Sequence, residues 1–123
     1  MENKITNEEY LNQCNEDILS IVILHSLDYS ELSKLDSPLF PIDFEVFNET
    51  KNAESHISHK NYTNDIPENI ANEIGVFLNR LLKFPYKKWT HIEFEMNTFW
   101  KESRIIAKEF VKILKLENRG YWE

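Results

Sequence analysis

At 123 residues, with 41% hydrophobic and 28% charged side chains, the chain has the size and composition of one globular domain with a core of its own. Two glycines and four prolines are too few for a turn-rich all-β fold, and a single cysteine excludes an internal disulfide. The net charge of −7 is divided unequally: residues 1–65 hold 13 acidic and 4 basic side chains (−9), residues 66–123 hold 8 and 10 (+2). That split points to a polarised surface.

The first predicted element spans Thr6 to Leu27. Thr6 and Glu9 have the spacing of a capping box, which satisfies backbone N–H groups that the first helical turn leaves unpaired. Leu11, Cys14, Ile18, Ile21, Val22 and His25 share one face at helical period, with Glu9, Gln13, Glu16 and Ser20 opposite. Beyond Ser20 the side chains are apolar nearly all round, so Ile18 to Leu27 is expected to form the centre of a helical bundle. This apolar run is far shorter than a bilayer requires, and MENKITNEE has no signal-peptide pattern. A cytoplasmic protein without membrane contact is expected.

Asp28 to Glu31, or Ser30, can cap a short second helix containing Leu32 and Leu35, which Ser37-Pro38 ends. Residues 42–47, IDFEVF, alternate apolar and acidic side chains and read as an extended or short helical connector. Residues 48–64 show no clear period, so this stretch is either a short helix near Ala53 to Lys60 or a binding loop. Asp65 and Glu68 have capping-box spacing ahead of a helix. Its buried face is read as Ile70, Ile74, Phe77, Leu78, Leu81 and Leu82, with Pro85 as its end. A third capping box, Thr90 and Glu93, opens a last helix, although strand-like alternation over His91 to Met96 allows a later start. Ile92, Met96, Phe99, Ser103, Ile106, Phe110, Ile113 and Leu114 share one face, and Lys101, Arg104, Lys108, Lys112 and Lys115 line the other. Gly120 is a plausible helix stop, with Tyr121 and Trp122 beyond it. The expected fold is all-α: one domain, residues 1–123, a bundle of about four to six helices with an irregular or weakly extended middle.

Catalytic signatures are lacking. Cys14 lies on an apolar stripe, whereas thiol catalysis needs an electropositive setting. His56 and His59 have no further ligands beside them, no His follows a Glu at three residues, and two glycines build no phosphate-binding loop. Neither Glu93 with Glu95 nor Glu16 with Asp17 has a nucleophile beside it. No enzyme activity, cofactor or metal is expected. The basic stripe is flanked by Glu102 and Glu109 and lacks interleaved aromatics, so direct nucleic-acid binding is not expected either.

The acidic run is the stronger functional feature. Glu8, Glu9, Glu16, Asp17, Asp28, Glu31, Asp36, Asp43, Glu45 and Glu49 are interrupted only by Lys34. Such a patch speeds encounter with a basic protein and can fill a site made for phosphates. Glu9, Glu16, Asp17, Glu31, Asp36, Asp43, Phe44, Glu45, Phe47 and Glu49 are therefore the candidate partner-binding residues.

In the overall character of MENKITNEEYLNQCNEDILSIVILHSLDYSEL and the acidic run after it, the chain resembles the immunity proteins of bacterial contact-dependent growth inhibition and related polymorphic toxin systems. The resemblance carries no motif, and no site is transferred from it. It implies a cytoplasmic antitoxin in tight complex with a cognate toxin domain, commonly a basic nuclease that cleaves tRNA or other RNA, whose active site it blocks. Phe44, Phe47 or Trp122 would then supply buried anchors. The alternatives are an acidic nucleic-acid mimic that antagonises a DNA-binding protein, and a helical regulator that uses residues 101–115 on nucleic acid.

Overall fold

The computed structural model describes residues 7–119, and among these it contains six α-helices and no strand. They are α1 (Asn7–Ser26), α2 (Tyr29–Leu32), α3 (Ile42–Ser58), α4 (Glu68–Leu82), α5 (His91–Met96) and α6 (Thr98–Ile113), with short 3-10 turns at Ser33–Leu35 and Tyr86–Lys88. The expected all-α bundle is what the chain forms. Thr6, Gly120, Tyr121 and Trp122 lie outside the described residues.

Helix α1 occupies the centre, packed against α6 and α3, and α3 in turn packs against α4. Ile18 and every residue from Ile21 to His25 are buried, as the loss of polar positions in that half of the helix predicts. After Ser26 the chain turns at Asp28, whose N–H donates to Glu31 Oε1 at 3.4 Å. The short α2 then buries Leu32, and Leu35 packs against the core from the 3-10 turn that follows.

The middle of the chain departs from expectation. Residues 42–58 form one continuous helix, where the sequence allowed an extended or short helical connector followed by either a short helix or a loop. Its buried face is Ile42, Val46, Thr50, Ala53 and Ile57, at helical spacing. Thr50 and Ala53 bring little hydrophobic bulk to that stripe, and Phe44 lies off it in solvent, so the sequence conceals the period. The helix ends on a Schellman motif. Lys60 takes φ 56°, its N–H donates to Ile57 O, and Asn61 N–H donates to His56 O at 2.7 Å. Lys115 closes α6 in the same way, with φ 58° and Leu116 N–H donating to Val111 O at 2.8 Å.

Helix α4 buries Ala71, Ile74, Phe77, Leu78 and Leu81, close to the predicted face, while Ile70 and Leu82 are half-buried. It starts at Glu68 behind Pro67, so Glu68 is the first helical residue and the Asp65–Glu68 capping box does not form. The expected last helix is broken in two. Thr90 Oγ1 accepts from Glu93 N–H as predicted, but Asn97 N–H closes α5 on Glu93 O, and Asn97 Oδ1 caps α6 by accepting from Phe99 N–H at 2.8 Å. This break rotates the buried face. Trp100, Ser103, Ala107 and Phe110 point inward, whereas Ile92, Met96 and Ile113 from the predicted face are exposed.

His25 lies at the core among Phe77, Trp89 and Trp100, stacked parallel to the Trp100 ring at 6.1 Å. Its Nε2 is 2.8 Å from Thr50 Oγ1, and the Thr50 hydroxyl donates its single hydrogen to Val46 O. Nε2 must therefore carry the ring hydrogen and donate it to Thr50. Burial pushes the imidazole down from 6.5 to about 3.

Two outcomes follow for stability. The unfolded chain binds a proton on His25 below pH 6.5, which the folded chain refuses until about pH 3. The contribution of neutral His25 is complete above pH 6.5 and falls by about 1.4 kcal/mol per pH unit across that window. Urea midpoints measured from pH 7 to pH 4 should show this slope, and His25→Gln should flatten it. Lys60→Gly and Lys115→Gly should each raise the unfolding free energy by about 1 kcal/mol, because both lysines hold a left-handed conformation that glycine adopts without strain.

Candidate functional site

Most of the acidic run acts as internal fastening. Glu16 pairs with Arg119, which ties α1 to the segment after α6. Asp17 Oδ2 accepts from His56 Nε2 at 3.0 Å and from Asn52 Nδ2 at 3.3 Å, joining α1 to α3. Asp28 pairs with Lys108 of α6 at 3.1 Å, and Glu31 closes the turn before α2. Asp36 Oδ1 accepts from Ile42 N–H at 3.0 Å and so caps α3 in place of Pro41, the N-cap residue, which offers no side-chain acceptor.

Asp36 and Asp43 also grip one imidazole. His91 Nδ1 is 2.6 Å from Asp43 Oδ1 and Nε2 is 3.4 Å from Asp36 Oδ2, while the His91 backbone N–H donates to Asp43 at 3.0 Å. Three segments meet there: the turn before α3, the first turn of α3, and the first turn of α5.

A smaller set is left for a partner. Glu45 and Glu49 stand one turn apart on α3, and neither has a Lys or Arg within ion-pairing distance among the described residues. Partial burial pushes the Glu49 carboxyl up, and the nearby charges of Asp17 and Glu45 push it further. Glu49 thus meets two like charges, Asp17 from α1 and Glu45 from its own helix, at the seam between α1 and α3. Glu9, exposed on the first turn of α1, is not one of the carboxylates without a partner. Phe44 is 50% exposed beside Glu45. Phe47 is half-buried edge-on to Tyr86 and Trp89, with Lys51 Nζ 5.7 Å over its ring, so it serves the core as much as the surface.

The basic face is thinner than its sequence. Lys108 is held by Asp28, and half-buried Arg104 donates to Phe94 O at 2.9 Å; Lys101, Lys112 and Lys115 remain exposed on or beside α6. Cys14 is buried, and that burial pushes its thiol up, away from the reactive thiolate. His59 Nδ1 hydrogen-bonds to Ser55 O at 2.8 Å, and among the described residues no group of three metal-ligating side chains converges. A cavity beside His25, lined also by Leu27, Leu32, Phe94 and Arg104, encloses only about 20 Å³, room for one water and no substrate. No helix among the described residues is long and apolar enough to cross a membrane.

Exposed large apolar residues outside the predicted set include Leu39, Val76, Tyr86, Ile92, Met96 and Ile105, spread over several elements. The helix stop read at Ser37-Pro38 was the available signal for the first, while Ile92 became legible only once the α5–α6 break had rotated it outward. Comparison with protein-family profiles, curated proteins and solved structures found no match to this chain.

The division between fastening and unpaired carboxylates is measurable. Asp36→Ala should lower the unfolding free energy by about 1 kcal/mol through loss of the α3 cap. Glu45→Ala should change it by no more than about 0.5 kcal/mol in the same denaturation experiment.

Proposed function

We propose that the chain is a small acidic inhibitor that binds and blocks a cognate toxin domain, a basic nuclease in the manner of the immunity proteins it resembles. The observation that carries this reading is the Asp17–Glu45–Glu49 seam. Along this seam Asp17 is held by His56 and Asn52, whereas Glu45 and Glu49 have no Lys or Arg within ion-pairing distance among the described residues, and partial burial with the charges of Asp17 and Glu45 raises the Glu49 carboxyl. A lysine or arginine brought by a partner would relieve that repulsion. A protein folding only for itself gains nothing from the arrangement. The same cations on a nuclease would otherwise hold RNA phosphates, so their capture blocks activity and binds the inhibitor in one step.

The reading concerns the acid-rich side formed by α1 and α3, not α6. With Lys108 and Arg104 already engaged, the cation density left on α6 is low for phosphate binding.

The test is co-expression with the product of the adjacent open reading frame, scored by growth and by calorimetry of the purified pair. Glu45→Lys combined with Glu49→Lys should abolish protection and weaken binding by about 2 kcal/mol or more. Lys101→Glu combined with Lys112→Glu should leave both unchanged. The opposite pattern would transfer function to the basic face. In the free protein, Glu49→Gln should raise the melting temperature slightly, because it removes a charge that its neighbours disfavour.

A further inference from the structure

The chain is acidic overall, yet the groove between the end of α3 and the exposed side of α4 is basic. It measures about 520 Å³ and is lined by three cations, Lys60, Arg80 and Lys83, with one carboxylate, the half-buried Glu54. None of the three cations has an ion-pairing partner among the described residues. The Arg80 guanidinium lies 5.2 Å over the Phe99 ring, which steadies the group without an anion. Gly75 leaves the centre of the groove open. A Cβ at this position would come within 2.9 Å of Ile57 Cγ2, so α3 and α4 approach closely there. Val76, in the same lining, is 72% exposed.

Lys60 has a further peculiarity. It holds the left-handed position that closes α3, φ 56°, where glycine is the usual residue. Lys115 closes α6 in the same conformation, so strain alone does not mark a site. What distinguishes Lys60 is that its side chain faces a groove with two other unpaired cations. A lysine kept where glycine would be more stable is accounted for if the ammonium has a ligand to hold.

The lining also favours one class of ligand. No aromatic ring is present for bases to stack on, and Glu54 opposes a phosphate backbone. A polypeptide meets the same groups better, because its main chain offers N–H groups to Glu54 and carbonyls to the Asn72 and Asn79 amides. From Asn72 to Lys83 the helix advances about 16 Å, the length of roughly five extended residues.

We propose that this groove docks an acidic, extended segment of a partner protein. Its carboxylates meet Lys60 at one end and Arg80 with Lys83 at the other, and an apolar side chain between them covers Gly75 and Val76. The surface is separate from the Glu45–Glu49 seam, and the proposal does not depend on the inhibitory reading.

The experiment is fluorescence anisotropy at low salt with a labelled pentapeptide that has leucine between two pairs of acidic residues. The parent should bind it saturably, and amide NMR shifts should fall on Gly75, Val76 and Asn79. Lys60→Gly should weaken binding about threefold to fivefold while raising the unfolding free energy, so loss of binding is not loss of fold. Lys115→Gly relieves the same backbone strain and should leave binding within about twofold of the parent. Lys60→Gly combined with Lys83→Ser should weaken it by about tenfold or more. Absence of saturable binding by the parent, or equal weakening by Lys60→Gly and Lys115→Gly, would overturn the proposal. So would shifts confined to other helices. Displacement of the peptide by oligouridylate at equal charge concentration would make the ligand a nucleic acid, which also overturns it.

Discussion

The fold depends on enclosing one helix that has no polar side to spare. From Ile21 to His25 every side chain of α1 is buried, so neighbours must cover it on more than one flank. Helix α6 supplies one wall and α3 another, and the aromatic group of Phe77, Trp89, Phe94 and Trp100 fills the space around the end of α1. The polar atoms caught inside are satisfied pairwise: His25 donates to Thr50, Thr50 to Val46 O, Trp89 Nε1 to Phe84 O and Trp100 Nε1 to Lys88 O. A buried donor left without an acceptor would offset much of what the surrounding rings contribute.

The charges follow from that enclosure. Helices packed around a central one need ties at their ends and along their seams, and several carboxylates of the acidic run supply them. Glu16, Asp17, Asp28, Asp36 and Asp43 each reach a different segment of the chain. Surface ion pairs are individually weak, so the value of these contacts lies more in fixing the relative positions of helices than in raising stability. The acidic half of the sequence is therefore not an acidic surface of equal density. Within the acidic run, Glu45 and Glu49 on α3 have no Lys or Arg within ion-pairing distance among the described residues.

Periodicity made the central and fourth helices legible, because their core positions are large and apolar. It failed where core positions are small or polar. Thr50 and Ala53 in α3, like Ser103 and Ala107 in α6, are buried without announcing it, and Phe44 and Ile92 are apolar without being buried. The break at Asn97 was hidden for a related reason: one asparagine closes one helix and caps the next without a proline or glycine to mark it. For the candidate site, the sequence could single out the acidic run but not the state of each carboxylate in it. It could not separate carboxylates with internal partners from those without, since Asp43 and Glu45 differ only in whether a histidine 48 residues from Asp43 folds back onto it.

The placement of His25 also bears on how the chain reaches its fold. In mildly acidic solution the unfolded chain carries a proton on this imidazole, and the closed core has no carboxylate beside it to receive that charge. Every folding trajectory must shed the proton before Phe77, Trp89 and Trp100 can close around the ring. Acid would therefore slow folding by depleting the competent, neutral population, while an already folded molecule, its imidazole neutral and shielded, would unfold at nearly the rate it does at neutral pH.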